Sequence, residues 1–433
     1  MSERADDIAD AARGEYLLYE VRSGLERHGR AEATARAARN WLREARDPGN
    51  AVELPRTDVL FLALEPRQYA TLAPVRRVID DHGLRTLALT TGTAGTDLRS
   101  LRFPIASRRA RMLEAAKIAA AADDSARVLV GDADTGTRSQ TRVRRWLRSE
   151  AARHARWAID SVAILEMTRP RVVVSADDVD ARVRWLFLKA HRSGAHTIRA
   201  QFGLSADALE WTSGLAETKA VHGPRMRRIL REAGIDDRRI VEIGQPRFGQ
   251  LAALAGAHDR SVLFASQPYV PSAFDSPAER VTALRTVGTG LSAAIKNGWR
   301  VGIRAHPDEH PAQLHRSLAA GGLTGGFADE SRAALSDVLA RYRSVLGFFS
   351  TVLVESLLAH RVVVRVRTDG SSQLAREFDR VLPSVLAAEI EVALERALGR
   401  EPLTNAMHQW LSDEFDAYPN DGRALAAEIE SRI

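Results

Sequence analysis

The segment WRVGIRAHPDEH, residues 299 to 310, restricts the fold of this chain more than any other stretch. Apolar residues alternate from Val301 to Ala305, which is the spacing expected for one face of a β-strand. The alternation ends at Arg304 and His306, and Pro307 then prevents both a ladder hydrogen bond and an easy helical start. Because open α/β sheets bind ligands at the carboxyl ends of their strands, we expect this strand end to face a ligand.

A second segment, SVLGFFSTVLVESLLAHRVVVRV at residues 344 to 366, predicts a buried strand, a helix and another buried strand. Ser350 or Thr351 is a natural N-cap for this helix. The free backbone N–H groups at a helix start offer an anion site. Two neighbouring strand ends, one with imidazole and guanidinium groups and one with a helix N-terminus, would suit a diphosphate or a phosphomonoester.

The length of 433 residues exceeds one ordinary core and fits two domains of roughly 200 residues each. With 45% hydrophobic and 27% charged residues, the composition is that of a soluble globular protein. The absence of cysteine excludes disulfides, thiolate zinc sites and cysteine nucleophiles, and it favours a cytoplasmic location. The net charge of +6 favours anionic partners, so phosphorylated ligands, anionic lipid and nucleic acid all stay open.

The sequence further predicts neither a secretory leader nor a membrane span. Its first residues, MSERADDIADAARGEY, are charged and include no apolar h-region. No apolar run approaches the ~20 residues that a bilayer-spanning helix needs.

Strand and helix patterns alternate along the first half of the chain. Residues 1 to about 50 are predicted to be helical, and a first strand at 58 to 64 leads into a helix through residue 80. Further strands are predicted at 83 to 90, 126 to 134, 169 to 178 and 195 to 203, with helices at 138 to 168 and 179 to 193. This βαβ pattern indicates a Rossmann-like domain with at least five strands.

The same pattern resumes in the second half, where strands are predicted for SVLFASQP, RVGIRAHP, SVLGFF and RVVVRV. The chain therefore divides into an N-terminal Rossmann-like domain with a leading helix at residues 1 to 248 and a second one at residues 249 to 402. Residues 403 to 433 are predicted to form C-terminal helices that pack back toward the N-terminal domain.

Four segments together resemble a known family: TIRAQFGL, TKAVHGPRMRRILREAG followed by IVEIGQPRFG, the RAHP strand end, and FFSTVLVESLLAHRVVV. They are similar to the bacterial surface-polysaccharide group of GT-B transferases, which includes capsule synthesis transferases, polysialyltransferases and CDP-glycerol glycerophosphotransferases. The resemblance spans roughly residues 170 to 366. It implies an α/β fold of two Rossmann-like domains that face a central cleft, with an N-terminal acceptor domain and a C-terminal nucleotide-donor domain.

The resemblance also implies donor-binding residues. In this family the His-Pro element and the Ser/Thr helix start hold donor phosphates, which places His306, Pro307, Ser350 and Thr351 at the phosphates. An acidic residue in the following helix can hold the ribose, and Glu355 has that position. Arg304 would add positive charge.

Two strand-end glutamines and one N-terminal loop are further candidates. Gln245 and Gln267 each precede a proline at a strand end, so each is a base or sugar contact or a capped turn. Several relatives have Gln-His-Gly in the loop where this chain has Gln201, Phe202 and Gly203, so no histidine role transfers there. His222 would either face the cleft or hold a turn.

Candidates for the catalytic base lie at strand ends of the N-terminal domain, where the acceptor would dock. Glu65 ends the first strand, and Asp177 and Asp178 end RVVVSADD. A base at one of these positions would deprotonate the acceptor hydroxyl. Each of the three is alternatively a surface or loop acid.

A metal is not expected. GDAD, with Asp132 and Asp134, is similar to the Asp-x-Asp motif that holds a divalent cation in the other glycosyltransferase fold, which has a single domain. Because two domains are predicted here, His306, arginines and helix-terminal amides are expected to supply the positive charge instead.

The segment RSQTRVRRWLRSEAARHARW, residues 138 to 157, contains seven arginines and two tryptophans in one predicted helix. It is either a solvated basic face with its tryptophans in the core, or a surface for an anionic membrane or an anionic glycan. Nucleic acid is disfavoured because no helix-turn-helix, RNA-binding sheet signature or zinc finger accompanies the charge.

These observations and the resemblance together predict a metal-independent glycosyltransferase of capsule polysaccharide biosynthesis without a bound cofactor. It would move a sugar from a nucleotide-activated donor, with a pyrimidine nucleotide favoured, to a cell-surface glycan or lipid-linked acceptor. The expected location is the cytoplasm, with peripheral contact at the inner face of the membrane. The alternatives are a nucleotide-sugar 2-epimerase, a CDP-glycerol-type phosphotransferase, and a non-catalytic protein that binds nucleotides or anionic polymers.

Overall fold

The computed structural model describes residues 3–23, 30–46, 53–90, 99–100, 105–130, 137–204, 208–249, 251, 254, 258–269, 274, 276–368, 378–382, 384–415 and 421–433. The chain forms two compact units. The N-terminal unit comprises Met1–Phe202, Asp207–Arg247 and Gly422–Ile433, and the C-terminal unit comprises Gly203–Ala206 and Phe248–Asp421. Each unit contains a parallel sheet with helices on both faces, so the predicted pair of Rossmann-like domains is confirmed.

The sheet of the N-terminal unit has seven parallel strands in the order β3-β2-β1-β4-β5-β6-β7. The interior strand β1, Val59–Ala63, is buried on both faces: Val59 and Phe61 contact one helical layer, and Leu60 and Leu62 contact the other. Such all-apolar strands are typical of doubly covered parallel sheets. The strands are β1 Val59–Ala63, β2 Thr86–Thr90, β3 Arg99–Ser100, β4 Val172–Ser175, β5 His196–Ala200, β6 Thr218–Val221 and β7 Ile240–Glu242.

The helices of this unit include a layer in which α1, α2, α4, α5 and α6 pack on one another. They are α1 Glu3–Ser23, α2 Arg30–Arg46, α3 Pro66–Asp81, α4 Arg108–Val130, α5 Thr137–Thr168, α6 Ala181–Ser193, α7 Leu209–Thr212 and α8 Pro224–Glu232. A last helix, Arg423–Glu430, packs on α3 and buries Leu425 and Ile429 beside Leu72.

The stretch expected to be helical over residues 1 to about 50 is helical in its two described parts, α1 and α2. One strand prediction for this unit is wrong. The strand expected at residues 126 to 134 is helical through Val130, since α4 buries Ala115, Ile118, Ala122 and Ala126 at helical spacing. Alanine-rich sequence favours a helix, and this preference outweighs the β-branched valines at the end of the segment.

The sheet of the C-terminal unit has six parallel strands in the order β10-β9-β8-β11-β12-β13. Gly302 in β9 is required by packing, because a Cβ atom there would lie 2.5 Å from the Tyr342 ring of β11. The strands are β8 His258–Ala265, β9 Arg300–Arg304, β10 Phe327–Asp329, β11 Tyr342–Gly347, β12 Val362–Val366 and β13 Ser384–Val385.

Helices cover both faces of this second sheet. One face carries α9 Pro277–Lys296, α10 Pro311–Ala319 and the helix Ile390–Leu398, and the other carries α11 Leu335–Leu339, α12 Thr351–Leu358 and the helix Asn405–Glu414. Short 3-10 turns occur at Asp237–Arg239, Pro246–Phe248 and Ala387–Glu389. No helix in the described part of the chain combines the length and the apolar character that crossing a membrane requires.

Candidate functional site

The carboxyl edge of the C-terminal sheet contains most of the predicted donor-binding residues. Strand β8 lies between β9 and β11, and the chain order reverses between β8 and β11. Ligands of open α/β sheets bind at such a switch point. Gln267 follows β8, His306 follows β9 and Ser350 follows β11, so three adjacent strands end in candidate ligand contacts.

The helix start after β11 is held firmly. Ser350 is the N-cap of α12, and its hydroxyl accepts a hydrogen bond from the Val352 N–H at 3.3 Å. Leu353 and Leu357 are fully buried and fix the helix against the sheet. Ser350 and Thr351 are half-buried, so the first turn of an anchored helix reaches the edge of the sheet with its backbone donors.

The ring of His306 has a defined hydrogen-bond pattern. Its Nδ1 accepts from the Asp308 N–H at 3.2 Å, and the side chain is 26% exposed. A neutral ring with this contact carries its proton on Nε2. Pro307 occupies the turn, which the Glu309 N–H closes onto the His306 carbonyl at 2.8 Å. The ring can therefore present an N–H donor to a phosphate oxygen.

Glu309 holds this loop, and sequence reasoning missed it. Its Oε2 accepts the His306 N–H at 2.9 Å, while its Oε1 accepts the Ser266 hydroxyl at 3.1 Å and also pairs with Arg280. The carboxylate is 7% exposed. Its position three residues after a strand-terminal histidine is a usual spacing for a carboxylate that accepts a backbone N–H, and this was the available signal.

Gln267 joins the ends of β8 and β11. Its side-chain oxygen accepts the Phe349 N–H at 3.0 Å, and its main-chain oxygen accepts from Arg280 at 2.7 Å. The amide oxygen is thereby engaged by the protein. This contact orients the residue directly before the helix start at Ser350.

Arg304 is less available for ligand binding than the sequence predicted. Its NH1 donates to the main-chain oxygens of Glu330 at 2.8 Å and Ala333 at 2.7 Å. Burial lowers the pKa of Arg304, and the carboxylates of Glu355 and Glu330 oppose this effect. Glu355 is itself buried, with 8% exposure. Arg304 and Glu355 therefore interact electrostatically at this edge of the sheet.

The switch point of the N-terminal sheet lies between β1 and β4, and the three candidate bases follow these two strands. Glu65 is exposed after β1. Asp177 follows β4 and is half-buried. Its Oδ1 accepts the N–H groups of Val179 at 2.7 Å and Asp180 at 3.1 Å. Burial raises the pKa of Asp177, with the charge of Arg199 opposing it.

Asp178 points into the interior of the N-terminal unit. It pairs with Arg199 at 2.6 Å and with Lys219 at 3.1 Å, and its side chain is fully buried. Burial alone would raise its pKa, but the charges of Arg199 and Lys219 lower the pKa of Asp178 to about 2. A buried carboxylate with so low a pKa is a poor general base, so we assign Asp178 a structural role.

Three further strand ends of this unit are tied through His222. The main-chain N–H of His222 donates to the side-chain oxygen of Gln201 at 2.8 Å. The ring Nε2 of His222 lies 3.1 Å from the main-chain carbonyl of Gln201 and 2.8 Å from Gln245 Nε2. If Nε2 carries a proton, it donates to the Gln201 carbonyl; if it does not, it accepts from the Gln245 amide. Gln201, His222 and Gln245 are all buried, which favours the structural alternative for this histidine.

Gly203 follows the Gln201 loop, and a Cβ atom there would have no other atom within 4 Å. Asp132 and Asp134 lie outside the described residues. In the described part of the chain, no group of three or more His, Asp or Glu side chains is arranged to hold a metal ion.

The arginine-rich segment is part of α5. Trp146 and Trp157 are buried in the helical layer, each with 7% exposure. Arg144 and Arg148 both pair with Asp123 of α4, at 3.1 Å and 2.9 Å. The tryptophans thus belong to the core, and Arg144 and Arg148 share one carboxylate within the layer.

Comparison with known proteins supports the fold assignment. No protein-family profile and no curated protein matches the sequence. Similar solved structures include a protein from Listeria monocytogenes described as a UDP-N-acetylglucosamine 2-epimerase, with TM-score 0.56 and 11% identity over 87% of this chain and 95% of that one. MnaA from S. aureus, solved with UDP, has TM-score 0.54 and 10% identity over 86% and 95%. A variant of the wall teichoic acid polymerase TagF has TM-score 0.52 and 11% identity over 93% and 97%. These likenesses confirm the predicted two-domain Rossmann-like fold of the GT-B class.

Proposed function

We propose that the C-terminal unit binds a nucleoside diphosphate donor and that the protein transfers the attached sugar to a cell-surface glycan or lipid-linked acceptor. One observation carries this proposal: the adjacent strands β8, β9 and β11 end at Gln267, His306 and the Ser350 helix start around a switch point. The structural likeness to MnaA, which was solved with UDP, supports a nucleotide ligand.

The proposed chemistry assigns a role to each group. The acceptor hydroxyl loses its proton to the Asp177 carboxylate, and its oxygen forms the new bond to the sugar carbon. The bond from that carbon to the donor phosphate breaks, and the electron pair leaves with the diphosphate. His306 Nε2–H and the N–H groups at the start of α12 stabilise the charge on the departing phosphate. Glu355 is the proposed ribose contact.

A second candidate is epimerisation of a nucleotide-sugar, favoured by the likeness to the Listeria monocytogenes protein described as a 2-epimerase. The likeness to TagF likewise supports transfer of a glycerol-type phosphate group. These candidate reactions differ in whether they require an acceptor. Inversion of the sugar without any acceptor would favour the epimerase, whereas turnover that requires an acceptor hydroxyl supports transfer of a sugar or of a glycerol phosphate.

The first test is nucleotide binding by thermal shift with CMP, CDP, UDP, GDP and ADP, each with EDTA and with magnesium. At a hundred times its dissociation constant a ligand adds about 2.7 kcal/mol, and each kcal/mol raises Tm by roughly 2 to 4 °C in a domain of this size. We expect a pyrimidine nucleotide to give the largest shift and EDTA to leave that shift unchanged.

His306→Ala should remove the nucleotide shift and lower turnover about a hundredfold, since a preorganised donor to the leaving group is lost. His315→Ala is the matched control, because His315 is also half-buried in the C-terminal unit but lies on α10. No response of the wild type to any nucleotide would contradict donor binding and favour a protein that binds other anionic ligands. A response that survives in His306→Ala would contradict the site.

A further inference from the structure

Helix α2 has an inner face that is fixed to α5. The Asn40 side chain donates to the Ser149 carbonyl at 2.9 Å, and Arg36 pairs with Glu150 at 3.5 Å. Trp41 packs against the apolar cluster of the helical layer. The rotation of α2 about its axis is therefore set, and so is the face that it turns outward.

The outer face of α2 combines arginines with one leucine. Arg39, Leu42, Arg43 and Arg46 are exposed, and their spacing of three and four residues places them in one stripe along the helix. The stripe is about 10 Å long at 1.5 Å per residue. Leu42 lies within it and is 55% exposed.

The charge of this stripe is not neutralised by the protein. Arg144 and Arg148 of α5 pair with Asp123. By contrast, Arg39, Arg43 and Arg46 pair with no carboxylate among the side chains that the structure describes. Arg43 and Arg46 lie in the last turn of α2, where the helix dipole favours cations. The dipole does not account for Arg39 or for the exposed Leu42.

We propose that this stripe, Arg39, Leu42, Arg43 and Arg46, docks the protein on an anionic membrane surface. The arginines would contact lipid phosphates, and Leu42 would enter the boundary between headgroups and acyl chains, as apolar residues of basic interfacial helices do. A soluble polyanion would match the charge but offers no apolar layer for Leu42. This proposed surface lies on α2, whereas the alternative that the sequence offered lies on the α5 segment, residues 138 to 157.

The test is co-sedimentation of the full chain with vesicles of phosphatidylcholine, alone or mixed with phosphatidylglycerol. We expect the wild type to bind only the mixed vesicles, and less at high salt. The triple variant Arg39→Gln, Arg43→Gln, Arg46→Gln should lose about a hundredfold in partition coefficient, since each basic residue near the surface contributes about a factor of five. Leu42→Ser should lose about tenfold from the reduced apolar contact.

The matched control is Arg56→Gln, Arg77→Gln, Arg316→Gln, which removes the same charge from exposed positions elsewhere. It should bind as the wild type does. Equal loss in both triple variants would mean that net charge alone drives binding, and would overturn the assignment to α2. Absence of wild-type binding would overturn the docking itself. Unchanged binding by Leu42→Ser, with full competition by polyphosphate, would assign the stripe to a soluble polyanion instead.

Discussion

Glu309 accepts the main-chain N–H of His306 at 2.9 Å, and the same carboxylate accepts the Ser266 hydroxyl at 3.1 Å. It thereby joins the loop after β9 to the end of β8. The arrangement makes Glu309 a positioning residue for His306, because the main chain of the histidine is held by a buried charge.

We expect Glu309→Gln to weaken nucleotide binding about tenfold, or about 1.4 kcal/mol, by loosening the His306 loop. It should also lower the free energy of unfolding by about 2 kcal/mol, because the acceptor for Arg280 loses its charge. Calorimetric titration with UDP and urea unfolding measure the two effects. Ser266→Ala is the control: it removes one donor to Glu309 and leaves the His306 contact in place. Equal dissociation constants for wild type and Glu309→Gln would show that the loop needs no such support.

Two substitutions of Ser350 separate its capping role from ligand contact. Ser350→Ala should lower the free energy of unfolding by about 1 kcal/mol. Ser350→Gly should lower it by only a few tenths of a kcal/mol, because glycine is a better N-cap residue than alanine. If the hydroxyl also contacts phosphate, both variants should raise the dissociation constant of the nucleotide equally. If the dissociation constant rises more in Ser350→Ala than in Ser350→Gly, in parallel with the loss of stability, the serine acts only as a cap.

Asp178→Asn should destabilise the N-terminal unit by about 3 kcal/mol at neutral pH, since it removes the buried carboxylate that pairs with both Arg199 and Lys219. The pH dependence follows from a folded pKa of about 2 against an ordinary value of 3.8. The stabilisation by Asp178 is complete above pH 3.8 and is lost as the pH falls toward about 2. Urea midpoints between these pH values should therefore fall steeply in the wild type and less steeply in the variant. Parallel pH profiles would contradict this account.

The strand end and the helix start that carry the C-terminal candidate residues were predictable because their signals are local. A strand pattern that ends at His306 and Pro307, and a Ser-Thr pair before a helix, each lie within one short segment. The role of Glu309 was not predictable in the same way. Its partners are Ser266, directly after β8, and Arg280 in α9, so the contact depends on the neighbouring positions of β8 and β9.

The N-terminal unit shows the same limit more clearly. The sequence placed Asp177 and Asp178 together at one strand end and could not separate them. The charges that hold Asp178 come from β5 and β6, which reach it only once the sheet has formed. The strand predicted after residue 126 failed for a local reason, because a valine-rich helix end has the composition of a strand.

Asp177 provides the sharpest test of the proposed chemistry, because its neighbour is a structural carboxylate. Asp177→Asn retains the Oδ1 acceptor for the Val179 and Asp180 N–H groups, so the fold should persist. Burial raises the pKa of Asp177 in the folded state, so its ionised form is disfavoured by folding and any stabilisation by this group is lost as the pH rises. The neutral amide should therefore leave the free energy of unfolding at neutral pH unchanged or slightly higher.

Turnover should fall by a factor of about 100 to 10,000, since a general base contributes that much. Wild-type kcat should decline as the pH falls through the raised pKa, and the residual activity of Asp177→Asn should not follow that limb. Glu65→Gln, which changes the residue after β1 on the other side of the switch point, is the comparison variant. It should retain wild-type activity and the decline of kcat at low pH. Full activity of Asp177→Asn together with loss in Glu65→Gln would transfer the role of base to Glu65.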